Sequence, residues 1–472
     1  MQTNRNLNLL SFQDFNGRQV SAAFDGGYIT SDAGGLLLRE IEQGQRYIRD
    51  FSQCFTDLRD GRFTEHSVYE LVSQRVYGLC FGNEDLNDHD RLRADPLLAL
   101  LCGKKDLEGR GRRNERDQGK PLAGKSTLNR LETAGSRFGP RPRYKKIIAQ
   151  MHYLEEFFAR TFLRKTKKAP RVLVLDFDAT DDPLHGKQEG RFFHGYYDCY
   201  CYLPLYVFCG DDLLWAQLRK ADIDASDGAL EVLQRLVKMI RHKWPRARIL
   251  MRGDSGFARN ELMSWCEANG VSFLFGMAKN RRLLRRISRT MKKAKREWAV
   301  SGHPTRRYIQ FAYRTRSSWS RARRVVGKAE YLDKGENPRF VVTNLCSQEW
   351  GSQEVYEDLY CARGEMENRI KEQQLYLFAD RTSSATMRAN QLRLWFSSLA
   401  YVMLNELRSV GLRGTRMAQA TCESIRLKLL KIGAQVRLSV RRVVFSLAGG
   451  YPDQDLFAIV LGNLQQAYHL RR

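Results

Sequence analysis

Three acids stand where a reaction on phosphate would need them. Asp178 closes the run VLVLDFD (172–178). Asp254 closes RILMRGD (248–254), just before Ser255-Gly256-Phe257. Glu367 lies in YCARGEMENRIKEQQ (360–374), beside Arg363, Arg369 and Lys371. Hard divalent cations such as Mg²⁺ take oxygen ligands from carboxylates, waters and substrate phosphate. Two such ions clamp the attacking and leaving oxygens of an in-line displacement. Each acid alone also has an ordinary reading. An acid after a buried strand is often a turn or cap residue, and Glu367 has Lys371 at i,i+4 as a helix-surface partner. Asp176 and Asp178 share one face of their strand, about 7 Å apart at roughly 3.3 Å per residue. Only one of them can sit level with the other two acids, because a Mg²⁺ site tolerates little positional error.

Other chemistry is thinner. GDSGF has a serine but no G-x-S-x-G elbow and no partnered histidine, which argues against a hydrolase triad. The eight histidines are dispersed, and His194, set among Phe192, Phe193, Tyr196 and Tyr197, reads as a packed or loop residue. The ten cysteines show no C-x-x-C or zinc spacing, so reduced thiols are expected. Trp298 and Trp319 divide between two readings, core of a β-structure or a stacking surface for an extruded base.

The elements that must position the acids follow from apolar spacing. Residues 1–45 read as short strands or a loop leading into a helix, and Val68, Leu71, Val72, Val76 and Leu79 fall on one helical face. Residues 103–125 read as a mobile basic loop, Ser126 as a helix N-cap, and 143–165 as a basic amphipathic helix. From Pro170 the texture becomes α/β. Strands are expected at 172–178, 201–210, 213–220, 240–254 and 271–278, with helices at 226–243 and 259–269. Positions 281–296 hold nine Lys or Arg, and alternating stretches follow at 306–316 and 321–332, so 280–338 is expected to be a basic β-rich insertion. The expected divisions are a mainly helical DNA-binding module (1–168), a core in two parts (169–279 and 339–410) around that insertion, and a basic helical tail (411–472).

Charge names the partner. Seventy-nine Lys and Arg against 53 Asp and Glu leave +26, with a pI near 9.8, spread over most of the chain. Sustained positive potential predicts a polyanion, since neutralising phosphates releases condensed counterions. Arg281, Arg282, Arg285 and Arg286 are the expected backbone contacts. No lipidation signal or basic amphipathic anchor points to a membrane. The N-terminus lacks a signal peptide's pattern, and the apolar stretch 392–407 is interrupted by Arg393, Asn405 and Glu406. A soluble cytoplasmic protein is the expectation.

Longer motifs carry a resemblance. FDGGYITSDAGGLLLRE (24–40), EDLNDHDRLRADP (84–96), STLNRLE (126–132), DFDATDDPLHGKQEGRFFHGYYDCYCYLPLY (176–206), MRGDSGFAR (251–259) and YCARGEMENRIKE (360–372) run nearly end to end. With them the chain resembles bacterial insertion-sequence transposases of the DDE class, most closely insertion-sequence family 1380. The resemblance implies a ribonuclease-H-like core whose metal-binding catalytic acids are Asp178, Asp254 and Glu367. It favours Asp178 over Asp176, because Asp178-Ala179-Thr180 looks like the family's Asp-x-Thr. It also implies two Mg²⁺ or Mn²⁺ ions, and double-stranded DNA (terminal inverted repeats and target) as substrate. A homodimer in the DNA complex is implied as well. The family's last acid lies in a Tyr-x2-Arg-x3-Glu-x6-Lys signature. Tyr360, Arg363 and Glu367 match it, while Gln374 replaces the lysine and Lys371 lies one turn away. Positions 255–366, between the second and third acids, suit the branch that inserts a β-domain there. A structure-specific nuclease on the same core, or a basic nucleic-acid-binding protein, are the other readings.

Overall fold

The computed structural model describes residues 9–135 and 146–469. The chain divides into two units, residues 1–149 with 399–472, and residues 150–398. Among the described residues, no helix is long and apolar enough to cross a membrane.

Residues 150–398 are built on a mixed nine-stranded sheet. Its strands are β1 (Leu173–Ala179), β2 (Leu205–Cys209), β3 (Asp212–Gln217), β4 (Ile249–Gly253), β5 (Ser272–Met277), β6 (Thr305–Tyr313), β7 (Arg323–Leu332) and β8 (Arg339–Thr343), with a short ninth, Gly335–Glu336, beside β7. The spatial order is β3-β2-β1-β4-β5-β8-β7-β6. β1 is antiparallel to β2 but parallel to β4, and β4 is parallel to β5. Parallel neighbours need crossovers, supplied by α2 (Ala229–Lys243) before β4 and α3 (Asn260–Ala268) before β5.

VLVLDFD forms a central strand because both of its faces are covered. Leu173, Leu175 and Phe177 point into a core shared with Val232, Leu236 and Ile240 of α2 and Met263 of α3. Phe162 of α1 (Met151–Lys165) joins the same core, which places that helix with this unit and not with the N-terminal module. The opposite face of the sheet packs Leu250, Leu274, Val326 and Val341 against Val355 and Tyr356. Asp176 and Asp178 lie on this second face.

The basic run does not open a β-insertion. Residues 281–301 form α4, a helix of 21 residues. Its buried residues Leu283, Ile287, Met291 and Ala294 recur at helical spacing, and this stripe prevails over the charge around it. Asn280 caps it by accepting from the amides of Arg282 and Leu283. The strands that follow, β6 and β7, join the central sheet through β8.

In residues 1–149 with 399–472, the helix Val68–Cys80 carries a Ser67/Glu70 capping box. Arg75 on it forms a buried pair with Glu132. The helix at Lys125–Glu132 starts after Gly124, so Ser126 lies inside it and is not its cap. The Gly-rich loop is tied down: Arg112 pairs with Glu65, Arg93 pairs with Asp117, and Asp106 accepts from the amides of Gly109 and Gly111. Residues 143–145 lie outside the described residues, Ile147–Ala149 is a strand, and the helix begins only at Met151. The C-terminal region is not wholly helical. Ala434–Leu438 and Val443–Leu447 form a hairpin whose first strand pairs with Tyr28–Thr30, and in that strand AQVRL alternates with a period of two.

Candidate active site

Asp178, Asp254 and Glu367 reach one cavity of about 700 Å³ from three separate elements. Asp178 is at the C-terminal end of β1. Asp254 directly follows the adjacent strand β4 and is fixed by accepting from the Gly256 amide at 2.9 Å. Glu367 rides on α5 (Gly364–Lys371). The approach to α5 is irregular. Val355–Tyr360 runs as π-type turns and Cys361–Arg363 as a tight 3₁₀ turn, the kind of distortion that re-aims side chains at functional sites.

Arg363 sits between two of the acids. One terminal nitrogen donates to Glu367 Oε1, and the other lies 3.6 Å from Asp178 Oδ1. Burial pushes the Asp178 carboxyl up to about 7. Arg363 opposes that rise, while the nearby charges of Asp254 and Glu367 add to it. Asp178 therefore senses both other acids, and Arg363 does not cancel the effect of its burial.

Asp176 belongs to a different arrangement. It is the direct register partner of Arg252 on the parallel strand β4. The guanidinium grips both carboxylate oxygens, at 2.7 Å for the Nη2–Oδ2 contact, and also donates to the Leu359 carbonyl. Both residues are buried. Asp176 does not line the cavity.

Tyr360 is held close by an absence. A Cβ built on Gly276 of β5 would lie 2.4 Å from the Tyr360 hydroxyl and 3.1 Å from the Ser255 amide nitrogen, so glycine lets the phenol pass over the sheet beside Asp254. Lys371 and Gln374 also line the cavity. Gln374 donates to Asp182 Oδ1 at 2.9 Å and to the Asp181 carbonyl at 3.0 Å. Burial pushes the Asp182 carboxyl up to about 8, so Gln374 faces a neutral acid.

The other expected residues lie elsewhere. Arg282, Arg285 and Arg286 line a separate cavity of about 230 Å³ with Tyr313 and Arg314. Arg281 is exposed at the start of the same helix. Trp298 donates to Asp333 and packs on Tyr331. Trp319 is only 4% exposed, set edge-on against Tyr313 with Arg323 over its ring. Neither tryptophan lines the acidic cavity.

The aromatic wall that does line it comes from His194, which sequence pattern assigns to packing or a loop, and from the tyrosines beside it. His194, Tyr196 and Tyr197 sit on a hairpin between Phe192–His194 and Cys199–Tyr202. The Tyr197 hydroxyl donates to the Ala179 carbonyl next to Asp178, and Tyr196 is 85% exposed. The available signal is the density of aromatics in FFHGYYDCYCY, placed between the first two acids. Asp224, paired with Arg259, is a further lining residue that sequence reasoning does not single out.

Among the described residues, no three His, Cys, Asp or Glu side chains gather into a ready metal cage, and Arg363 supplies the positive charge instead. The donor chemistry nevertheless fits a hard divalent cation. Three carboxylates share one cavity, and the burial that raises Asp178, with the smaller repulsion from Asp254 and Glu367, is what such a charge would offset.

A comparison with curated proteins finds no match. Among solved structures, the chain is similar to a piggyBac transposase determined by cryo-EM in a synaptic complex with hairpin DNA. The identity is 11% and the TM-score 0.41, over 85% of this chain and 80% of that one. The family described as Transposase DDE domain group 1 matches residues 12–469. The chain therefore belongs to the DDE transposases of domain group 1.

Proposed function

We propose that the chain is the transposase of a bacterial insertion sequence, similar to insertion-sequence family 1380. It would bind the terminal inverted repeats of its element, cleave the ends and transfer the strands to target DNA. The observation that carries this reading is the convergence of Asp178, Asp254 and Glu367 from three elements on one cavity beside Arg363. The order β3-β2-β1-β4-β5, with acids at the ends of the neighbouring strands β1 and β4, supports a ribonuclease-H-like core.

The chemistry is an in-line displacement. A water oxygen attacks the phosphorus and gives up a proton, and the 3′ oxygen leaves and is protonated. That 3′ hydroxyl then loses its proton as it attacks a phosphodiester of the second strand or of target DNA, whose own P–O3′ bond breaks to release a new 3′ hydroxyl. Asp178, Asp254 and Glu367 would hold two Mg²⁺ or Mn²⁺ ions, whose contribution when bound would be to activate water and neutralise charge on the phosphate. Asp178 and Asp254 are set by the backbones of paired strands, so their spacing costs little to organise. Arg363 exchanges its carboxylate contacts for phosphate oxygens, a match for its planar fork. Tyr360 orients the same phosphate, Lys371 adds charge, and the Tyr196–Tyr197 wall offers stacking faces to bases near the cut. Arg281, Arg282, Arg285 and Arg286 track the backbone of the duplex. Two element ends call for two copies of the chain, acting on the nucleoid in the cytoplasm.

The test uses DNA carrying the element's ends. Asp254→Asn and Glu367→Gln are expected to lose Mg²⁺-dependent nicking while retaining binding, and joining of pre-cut ends separates a transposase from a simple nuclease. Near wild-type nicking by either variant would refute the three-acid assignment.

A further inference from the structure

The first hairpin of the chain has no cover. Leu10–Phe15 and Arg18–Ala22 pair antiparallel, and every residue of both strands is exposed. Leu10 stands opposite Ala22, and Phe12 opposite Val20. Strand alternation puts these four on one face, with Arg18 at its turn end, and Ser11, Gln19 and Ser21 on the other. The hairpin is therefore amphipathic, and its apolar face is open: Phe12 is 57% exposed and Leu10 44%, with Phe15 at 67% beside the turn. An isolated two-stranded hairpin is at best marginally stable in water. An open apolar face on such an element marks a surface that is covered in the working assembly.

Charge identifies the cover. Positions 9–24 carry Asp14 and Arg18 and no other charged side chain, in a chain of net charge +26. DNA binding draws on cationic contacts to phosphate, which this neutral strip lacks. An acidic partner would be drawn to the arginine-rich surfaces instead. A second copy of the chain meets net positive charge on most of its surface, and here it meets a strip in which Asp14 offsets the single cation, Arg18. The face is also self-complementary, as a two-fold contact requires, because apolar residues lie opposite apolar residues whichever copy supplies them. We infer that this hairpin is the arm through which two copies of the chain pair, apolar face on apolar face. The inference deepens the two-copy reading proposed above by naming its surface.

The test uses the full chain with the exposed Cys346 and Cys361 replaced by serine. Phe12→Cys is expected to cross-link two copies under mild oxidation, and Ser11→Cys, on the polar face, is not. In sedimentation, Phe12→Ser combined with Val20→Thr is expected to weaken self-association roughly a hundredfold or more, since each pair then buries four fewer large apolar side chains. Nicking of a single DNA end in the same preparations reports that the variant is folded. Three results would overturn the inference. One is a wild type that stays monomeric at tens of micromolar with and without DNA. The second is a dimer unmoved by the double substitution. The third is a monomer in which the thiol of the Phe12→Cys variant resists labelling, which would put the face on its own chain. A protein that pairs through position 12 yet cuts no DNA leaves the inference standing and removes the proposed function.

Discussion

Asp176 and Asp178 stand two residues apart on one face of one strand, and their surroundings are opposite. Asp176 faces its register partner Arg252, both carboxylate oxygens are taken, and the arginine's remaining reach goes to a backbone carbonyl. Asp178 has the 3.6 Å approach of Arg363, which it shares with Glu367, and a hydrogen bond from the Ala179 amide, and two further acids lie near enough to raise its pKa. A saturated charge pair is architecture. A crowded, under-neutralised carboxylate at a cavity has stability left unclaimed, which a ligand can recover.

The largest break in that comparison is in activity. Asp178→Asn is expected to lower the cleavage rate by on the order of a thousandfold or more, as removal of essential catalytic groups does. The fold should survive it. Asp176→Asn should do the reverse in kind, leaving Arg252 buried without its counter-charge at a cost of about 3–5 kcal/mol. Thermal melting and single-turnover cleavage on both variants check this. A stable Asp176→Asn that cannot cut, beside an active Asp178→Asn, would exchange the two roles.

The same contrast separates the arginines. Arg252 and Arg323 are buried against acids, whereas Arg281, Arg282, Arg285 and Arg286 are exposed on α4. Replacing those four by glutamine is expected to reduce the slope of log binding constant against log salt by about 0.9 for each phosphate no longer neutralised. An unchanged slope would place α4 away from DNA.

Gly276 tests how closely the wall is fitted. Alanine there meets the Tyr360 hydroxyl at 2.4 Å, and overpacking of this kind costs about 1–3 kcal/mol. Tyr360→Phe removes the atom in the way, so the double variant is expected to regain most of that stability. Additive effects in the melting cycle would show that the clash lies with the Ser255 backbone instead.

Much of this was legible because it was local. VLVLDFD reads as a buried strand, and the acids closing it and RILMRGD fall at the ends of paired strands. The helix at 281–301 was not legible as a helix, since its four-residue apolar stripe is outnumbered by nine cations that suit any exposed surface. The C-terminal hairpin was hidden in the same way by Arg437, Arg441 and Arg442. Trp319 divides between core and stacking surface until Tyr313 and Arg323 close over it. Tyr196 and Tyr197 read only as the aromatic surroundings of His194 until the hairpin carries them to the acids, a proximity that no periodicity encodes.

The smallest expected effect follows from the sign of the Asp178 shift. Its folded pKa of about 7 lies above the ordinary value of 3.8, with burial the first cause. A carboxyl raised on folding favours the folded state while protonated, and that contribution fades as pH rises through about 7. In metal-free buffer the wild type should therefore lose stability between roughly pH 4 and 8 that Asp178→Asn, which has no charge to bury, does not lose. The side chain is mostly buried, but Arg363 can adjust toward it, so the difference is on the order of 1–2 kcal/mol, less than the full shift implies. Melting curves in chelator at pH 5 and pH 8 measure it. The gap between variant and wild type should widen with pH, and adding Mg²⁺ should close it for the wild type alone. A gap that is constant, or that narrows toward pH 8, would mean that Arg363 already neutralises Asp178, and that Asp178 resembles Asp176 more than the cavity suggests.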